Sequence, residues 1–120
     1  MLKRLLNSFK FAIAGVNDLF SFTPNAKIHL AFAFLATFFG FYLKINATEW
    51  CLVIFAIGMV MAAEAFNTSI EYLTNLVTSD YHELAKKTKD VAAGGVFITA
   101  ITAAIIGAII YLPKLILIFQ

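Results

Sequence analysis

Charged residues are scarce in this sequence. Of its 120 residues, 13% are Asp, Glu, Lys or Arg and 62% are hydrophobic, whereas a soluble domain carries about 25% charged residues. The composition therefore indicates an integral membrane protein. The net charge of only +2 gives no reason to expect nucleic acid as a partner. The single cysteine, Cys51, excludes an internal disulfide and a cysteine metal cluster. The common glycine-rich phosphate-binding motifs are also absent, so any nucleotide site must be built differently.

Helical periodicity predicts an all-α protein with one domain, residues 1–120. In residues 1–21 the apolar side chains recur mostly three or four positions apart, while Lys3, Arg4 and Lys10 lie off that stripe. Such an amphipathic helix is suited to lie in a membrane interface. The alternative is a helix that packs on the core of a soluble domain, which the apolar remainder of the chain disfavours.

Three further apolar segments predict transmembrane helices, at residues 28–43, 50–77 and 91–112. Pro24 is predicted to end or redirect the first helix of the chain. Thr48 is a predicted N-cap for the second span, and Pro113 is predicted to close the third. Residues 78–90 are predicted to form the charged loop between the second and third spans.

The distribution of basic residues predicts the orientation of these spans. One side of the membrane would carry seven of them: Lys3, Arg4, Lys10, Lys27, Lys86, Lys87 and Lys89. The other side would carry Lys44 and Lys114, so the positive-inside rule makes the first side cytoplasmic. Tyr42, Trp50 and Tyr111 would then form an aromatic belt at the outer interface.

The cytoplasmic end of the second span carries four polar residues at helical spacing. Glu64, Asn67, Thr68 and Glu71 occupy positions i, i+3, i+4 and i+7, which places them on one helical face. Ionisable residues inside a membrane are costly and indicate a function. Glu64, deeper by about 10 Å, has no basic neighbour in its own helix and is a candidate proton acceptor. Glu71 lies nearer water and suits a hard cation such as Mg²⁺. The structural alternative is a polar seam between packed helices.

Outside that face, a few further residues are candidates for chemistry. Lys89 and Asp90 lie at the start of the third span. Charged side chains that face lipid are energetically costly, so these two residues are candidates for a function. Lys86 and Lys87 are interpreted as positive-inside charges. His29, on an apolar span, is either a helix contact or a contact for the substrate, and Thr68 is a second candidate substrate contact.

These residues form a recognisable pattern. The stretch from Glu64 to Glu71 resembles the E-x-x-N-[ST]-[SA]-[IL]-E signature of the prokaryotic diacylglycerol kinase family. Tyr81-His82-Glu83-Leu84-Ala85, followed by the stretch from Lys89 to Gly94, is similar to the second conserved block of that family. The resemblance covers almost the whole chain. It implies a homotrimeric kinase of the bacterial cytoplasmic (inner) membrane that transfers the γ-phosphate of ATP to a lipid alcohol with Mg²⁺.

The resemblance also implies roles for individual residues. Glu64 matches the general base and Glu71 a metal ligand. Nucleotide contacts are implied for four residues: Asn67, Lys89, Asp90 and Arg4. The pattern departs from the family at two positions, because Thr23 precedes Pro24 where an acid is common, and Asn75 follows Thr74 where the family has a valine-aspartate pair. These departures leave the number of metal ions open.

The lipid acceptor also stays open at this point. Lys27-Ile28-His29-Leu30 and the stretch from Tyr81 to Lys86 look more like the undecaprenol kinase branch than the diacylglycerol kinase branch. Outside the kinases, the alternatives are a small proton-coupled transporter and a structural subunit that merely oligomerises. A transporter would place the acids near the bilayer midplane of a repeat-built bundle, and the sequence shows no repeat.

Overall fold

Four helices make up almost all of the chain in the computed structural model, which describes residues 1–118 and 120. In chain order they are α1 (Leu2–Phe22), α2 (Pro24–Tyr42), α3 (Ala47–Val77) and α4 (Glu83–Ile118). The described part of the chain contains no strand, so the all-α prediction is confirmed.

The break between α1 and α2 is set by one proline. Thr23 has an extended backbone, with φ −107° and ψ 106°, as the residue before a proline prefers. Pro24 then takes the first helical position of α2, where its missing N–H costs nothing. Pro24 therefore separates the two helices as predicted, but α2 begins there and not at residue 28.

The turn between α2 and α3 corrects one prediction. The N-cap of α3 is Asn46 and not Thr48: the Asn46 side chain accepts a hydrogen bond from the backbone N–H of Glu49, and the Glu49 carboxylate accepts one from the backbone N–H of Asn46. This reciprocal pair is a capping box. Asparagine is a better cap than threonine. Because Asn46 lies three residues before Glu49, the Glu49 carboxylate can accept a hydrogen bond from the Asn46 backbone N–H.

The connection between α3 and α4 is shorter than predicted. The loop expected over 78–90 ends at His82, because α4 begins at Glu83. The imidazole Nδ1 of His82 accepts a hydrogen bond from the backbone N–H of Leu84. Ion pairs at spacing i,i+4 join Glu83 to Lys87 and Lys86 to Asp90. Such pairs stabilise helices in water, so the charged segment folds as the first turns of α4.

The end of α4 also differs from the prediction. The helix continues through Pro113 to Ile118, whereas Pro113 was expected to close it. A proline inside a helix removes one backbone hydrogen bond, and apolar membrane helices tolerate this because neighbouring groups adjust. With 36 residues and a rise of about 1.5 Å each, α4 is longer than the hydrocarbon core of a bilayer is thick.

Helix α3 lies at the centre of the molecule and contacts each of the other three. Its core partners are few: Val53 packs with Ile45 and Ile110, and these are flanked by partly buried residues such as Trp50 and Ile106. Most of the large apolar side chains are exposed, among them Phe34, Phe55, Phe97 and Ile109. A protein that is surrounded by water rarely exposes so much apolar surface.

The described residues contain two helices that are long and apolar enough to cross a membrane, α3 and α4. The remaining predicted span, residues 28–43 in α2, is not among them and stays a prediction. At the end of the bundle away from Glu64, the Tyr111 hydroxyl donates to the carbonyl oxygen of Ala36, and Lys114 pairs with Glu49 at 3.1 Å. These contacts hold α2, α3 and α4 together at that end.

Candidate active site

The polar face of α3 is buried in the folded chain. The residues that share it include Glu64, with 1% of its surface exposed, Asn67 with 6% and Thr68 with 7%, while Glu71 is half-buried. The helical spacing seen in the sequence therefore produces a continuous polar strip. The strip becomes more exposed towards the C-terminal end of α3.

Several oxygen atoms of this strip lack a hydrogen-bond partner. Within residues 1–118 and 120, neither carboxylate oxygen of Glu64 accepts a hydrogen bond, and neither does the side-chain oxygen of Asn67. A buried acceptor without a donor costs about 1–3 kcal/mol, and more when it is charged. A single folded chain therefore keeps three oxygens free for a proton, a cation or a substrate group.

One side chain of α2 approaches the carboxylate of Glu64. The Nε2 atom of His29 lies 3.4 Å from Oε1 of Glu64. The structure thus brings together two residues that are 35 positions apart in the sequence. Both were predicted as site residues, one as a proton acceptor and the other as a substrate contact.

Glu71 is joined to the same strip through Asn67. The Asn67 amide nitrogen donates to Oε1 of Glu71 at 3.1 Å, which leaves the amide oxygen of Asn67 free. A carboxylate beside an amide oxygen is a donor set that Mg²⁺ accepts. The described residues contain no group of three His, Cys, Asp or Glu side chains placed to hold a metal. Mg²⁺ commonly takes one or two protein carboxylates plus substrate phosphates, so the Glu71 carboxylate suits such an ion, while the Asn67 amide presents its nitrogen and not its oxygen to that carboxylate.

The junction between α1 and α2 is attached to this strip. The hydroxyl groups of Thr23 and Thr68 lie 3.5 Å apart. The Tyr72 hydroxyl donates to the Asp18 carboxylate at 3.1 Å. These contacts place Thr68, a predicted substrate contact, against the start of α2. They also join the Asp18 carboxylate of α1 to Tyr72, the residue that follows Glu71 on α3.

The two predicted nucleotide contacts on α4 differ in their surroundings. Lys89 is half-buried and donates to the side-chain oxygen of Asn75 at 2.7 Å, one turn beyond Glu71 on α3. Asp90 is exposed and pairs with Lys86 within its own helix. Lys89 and Asn75 also line a polar cavity of about 280 Å³ at the α3–α4 connection. The structure therefore connects Lys89, but not Asp90, to α3.

Arg4 lies apart from the strip. It is exposed in the first turns of α1, and among the described residues it forms no ion pair. Apart from the hydrogen bonds of the helical backbone, its carbonyl oxygen accepts a hydrogen bond from the Ser8 hydroxyl. Folding of a single chain does not bring Arg4 to Glu64 or Glu71.

An apolar cavity of about 410 Å³ lies between α2, α3 and α4. His29 lines it, and Tyr111 is the other polar side chain in a lining made of residues such as Phe32, Phe39 and Val60. Because His29 also contacts Glu64, the cavity and the buried carboxylate share a wall. A hydrocarbon chain fits such a lining, and a polar head group would then lie near Glu64.

Some members of this site were missed from the sequence. Asp18 and Tyr72 are 54 positions apart, and Asn75 and Lys89 are 14 apart, so neither pair shares a helix. In the sequence, Asn75 stands out only as a departure from the family pattern, and its contact with Lys89 is not predicted. One local signal was present in the sequence: opposite charges at spacing i,i+4, in Glu83–Lys87 and Lys86–Asp90. This spacing is typical of a helix, although a loop was predicted over 78–90.

Two long apolar helices indicate a membrane protein, and comparison with known proteins assigns its class: it is a lipid kinase. Residues 10–111 match the family model described as prokaryotic diacylglycerol kinase. The chain belongs to the prokaryotic diacylglycerol kinase family, as the two sequence motifs predicted. This assignment disfavours the transporter and the structural subunit.

Three relatives illustrate the range of the family. The chain is 37% identical to the undecaprenol kinase of Bacillus subtilis, over 95% of this chain and 93% of that protein. It is 38% identical to a diacylglycerol kinase of Synechocystis, over 92% of this chain but only 64% of that protein. It is 27% identical to the diacylglycerol kinase of Haemophilus influenzae, over 92% of this chain and 94% of that protein.

Proposed function

We propose that this protein transfers the γ-phosphate of ATP to the hydroxyl group of a membrane lipid alcohol, with Glu64 as the general base. The observation that carries the proposal is the placement of Glu64. Its carboxylate is 1% exposed, has no hydrogen-bond donor among the described residues, and lies beside a wall of the apolar cavity. A base in that position suits a hydroxyl group that arrives from the bilayer.

The role of Glu64 follows from the chemistry of phosphoryl transfer. Such transfer depends mainly on positioning and charge neutralisation. The attacking hydroxyl loses its proton as the new P–O bond forms, while the bond from the γ-phosphorus to the bridging oxygen breaks and ADP leaves. Glu64 would accept that proton at one of its free oxygens. A water-soluble acceptor would have no need of a base on the apolar side of the site.

Glu71 and Asn67 are the residues that we expect to hold Mg²⁺. The half-buried carboxylate of Glu71 would supply one oxygen ligand, and the free amide oxygen of Asn67 would supply a second once the amide group turns its oxygen towards the ion. Phosphate oxygens would complete the set. When bound, the ion would neutralise charge on the ATP phosphates. Thr23 and Asn75 stand where the family pattern has acids, so we propose one protein-held ion at this position and no second.

The nucleotide is expected to lie at the exposed end of the strip. Lys89, beside Asn75, is placed to reach a phosphate group as a positive charge. Asp90 and Arg4 are proposed contacts on the basis of the family pattern. Arg4 is far from the strip in one chain, so its role requires that α1 or a second subunit bring it closer.

We further propose a homotrimer in the bacterial cytoplasmic membrane, with α2, α3 and α4 as three spans, α1 on the surface and the site on the cytoplasmic side. The exposed aromatic and aliphatic side chains support contact with lipid or with other copies. A metal site with only two protein oxygens and the remote Arg4 also suit a site to which more than one subunit contributes.

Undecaprenol is the acceptor that we favour, and diacylglycerol is the second candidate. The undecaprenol kinase relative matches nearly the whole of both chains, and the apolar lining of the cavity between α2, α3 and α4 suits a hydrocarbon chain. Diacylglycerol is kept because relatives of similar identity carry that name.

The decisive experiment is transfer of labelled γ-phosphate from ATP to each lipid in mixed micelles, with purified protein. We expect phosphate in at least one lipid, and loss of transfer of about 100-fold or more in Glu64→Gln, the range that a general base contributes. The matched control is Glu49→Gln, an acid at the opposite end of the same helix. Glutamine can keep the capping box and removes only the partly exposed ion pair with Lys114, so transfer should stay close to the wild-type level while folding is checked by circular dichroism. Transfer to neither lipid, or full activity in Glu64→Gln, would contradict the proposal.

A further inference from the structure

His29 lies where two features of the molecule meet. Its Nε2 atom is 3.4 Å from Oε1 of Glu64, and its ring forms part of the wall of the apolar cavity. Within the described residues, it is the one basic side chain within 4 Å of the Glu64 carboxylate. The imidazole is about one-fifth exposed (21%), while the carboxylate is almost completely enclosed.

The carboxylate of Glu64 needs such a neighbour. A buried charge without a donor or counter-charge is costly, and a carboxylate that nothing holds can rotate among several orientations. The other polar side chains of the strip are placed for other contacts. The Asn67 amide nitrogen is used by Glu71, and the Thr68 hydroxyl faces that of Thr23.

We propose that His29 is a positioning residue for Glu64: its Nε2–H group holds one carboxylate oxygen and leaves the other directed at the lipid hydroxyl. This inference rests on the proposed function, because it assigns a partner to the proposed general base. The distance of 3.4 Å is slightly long for a hydrogen bond, and such contacts in sites without substrate tighten when the substrate binds. His29 would thus link occupancy of the cavity to the orientation of the base.

Three variants test the position of the donor nitrogen. His29→Gln places an amide N–H close to where Nε2 lies, His29→Asn places it closer to the backbone, and His29→Phe keeps the ring shape without a donor. We expect kcat to fall about 10- to 100-fold in His29→Phe and His29→Asn, as when a catalytic group is misplaced by about 1 Å. His29→Gln should recover most of the activity, and the KM for ATP should stay within about 2-fold in all three.

The readouts separate this role from others. A kcat of the wild-type value in His29→Phe would overturn the inference, and so would equal losses in all three variants, which would indicate general packing. A raised KM for the lipid with unchanged kcat would show a substrate contact instead. If His29→Phe does not fold, as judged by circular dichroism in micelles, the comparison of His29→Gln with His29→Asn decides alone. Failure of the proposed function is distinct, because the wild-type protein would then transfer no phosphate.

Discussion

At the scale of single residues, the polar face of α3 assigns different tasks to two acids seven positions apart. Glu64 is enclosed and has His29 as its neighbour, whereas Glu71 is half-buried and bonded to Asn67. Because the two environments differ, removal of each charge should affect a different step. Glutamine keeps the size of the side chain and removes only the charge, so it is the appropriate replacement at both positions.

The Mg²⁺ dependence of the activity should distinguish these two acids. We expect Glu71→Gln to raise the Mg²⁺ concentration for half-maximal rate by at least about 10-fold, since contacts to a charged group are worth about 1.5–3 kcal/mol. Glu64→Gln should lower the maximal rate and leave that concentration nearly unchanged. The measurement is a Mg²⁺ titration of phosphate transfer at saturating ATP. An equal shift in both variants would contradict the assignment of the metal to Glu71.

Lys89 offers a second comparison between residues of the same type. It is half-buried against Asn75, whereas Lys87 is exposed and pairs only with Glu83. We expect Lys89→Gln to lower kcat/KM for ATP by about 10- to 100-fold, because a charged contact to phosphate is lost. Lys87→Gln should stay within about 2-fold, as surface ion pairs contribute little. Similar losses in both would show that the lysines act only through overall charge.

At the scale of helices, the packing of α2 on α3 depends on a close approach at Gly40. A Cβ atom placed there would lie 2.6 Å and 2.9 Å from two ring atoms of Trp50 and 3.2 Å from Ile45. The indole is held in turn by the ring of Phe41, whose centre is 4.8 Å away. Two ring atoms of a packed indole cannot both move aside cheaply, so a glycine is required at this position.

Gly40→Ala should therefore destabilise the protein by about 1–3 kcal/mol, the usual cost of overpacking. The measurement is denaturation in detergent micelles, followed by helical circular dichroism. The control is Gly58→Ala on α3. Apart from the adjoining residues and backbone of its own helix, no described atom lies within 4 Å of an added Cβ there, and alanine has the better helix propensity. A Gly40→Ala variant as stable as the wild type would show that Trp50 moves freely.

The helix boundaries show what local sequence can predict. Pro24 was correctly read as a break, because proline restricts its own backbone and that of Thr23. The start of α4 at Glu83 and its passage through Pro113 were missed. In both cases the helix depends on neighbouring residues and not on the type of one residue. The charge pairs of Glu83 and Lys86 support the start of α4, and the long apolar run around Pro113 supports its continuation.

At the scale of the whole molecule, the distribution of basic residues predicts how the chain is oriented across the membrane. The fold of a single chain does not determine this orientation. Ala47, at the first turn of α3, and Ser79, after its last turn, are both exposed. They lie at opposite ends of a helix of 31 residues. The positive-inside rule places Ser79 in the cytoplasm and Ala47 outside.

A labelling experiment in intact cells checks this orientation. With Cys51, the sole cysteine, replaced by serine, Ala47→Cys should react with a membrane-impermeant maleimide added outside. Ser79→Cys, in the same background, should react only after the membrane is permeabilised. The reverse pattern would invert the topology and place the proposed ATP site on the wrong side of the membrane.

The sequence by itself determined the helical class of this protein, its family and the shared face of Glu64, Asn67, Thr68 and Glu71, because helical periodicity and motif spacing are local properties of the chain. Only the tertiary structure decided which side chains meet across helices, His29 with Glu64 and Lys89 with Asn75. It also formed the cavity that His29 helps to line. These contacts join positions distant in sequence, and the packing of α2 and α4 on α3 sets them.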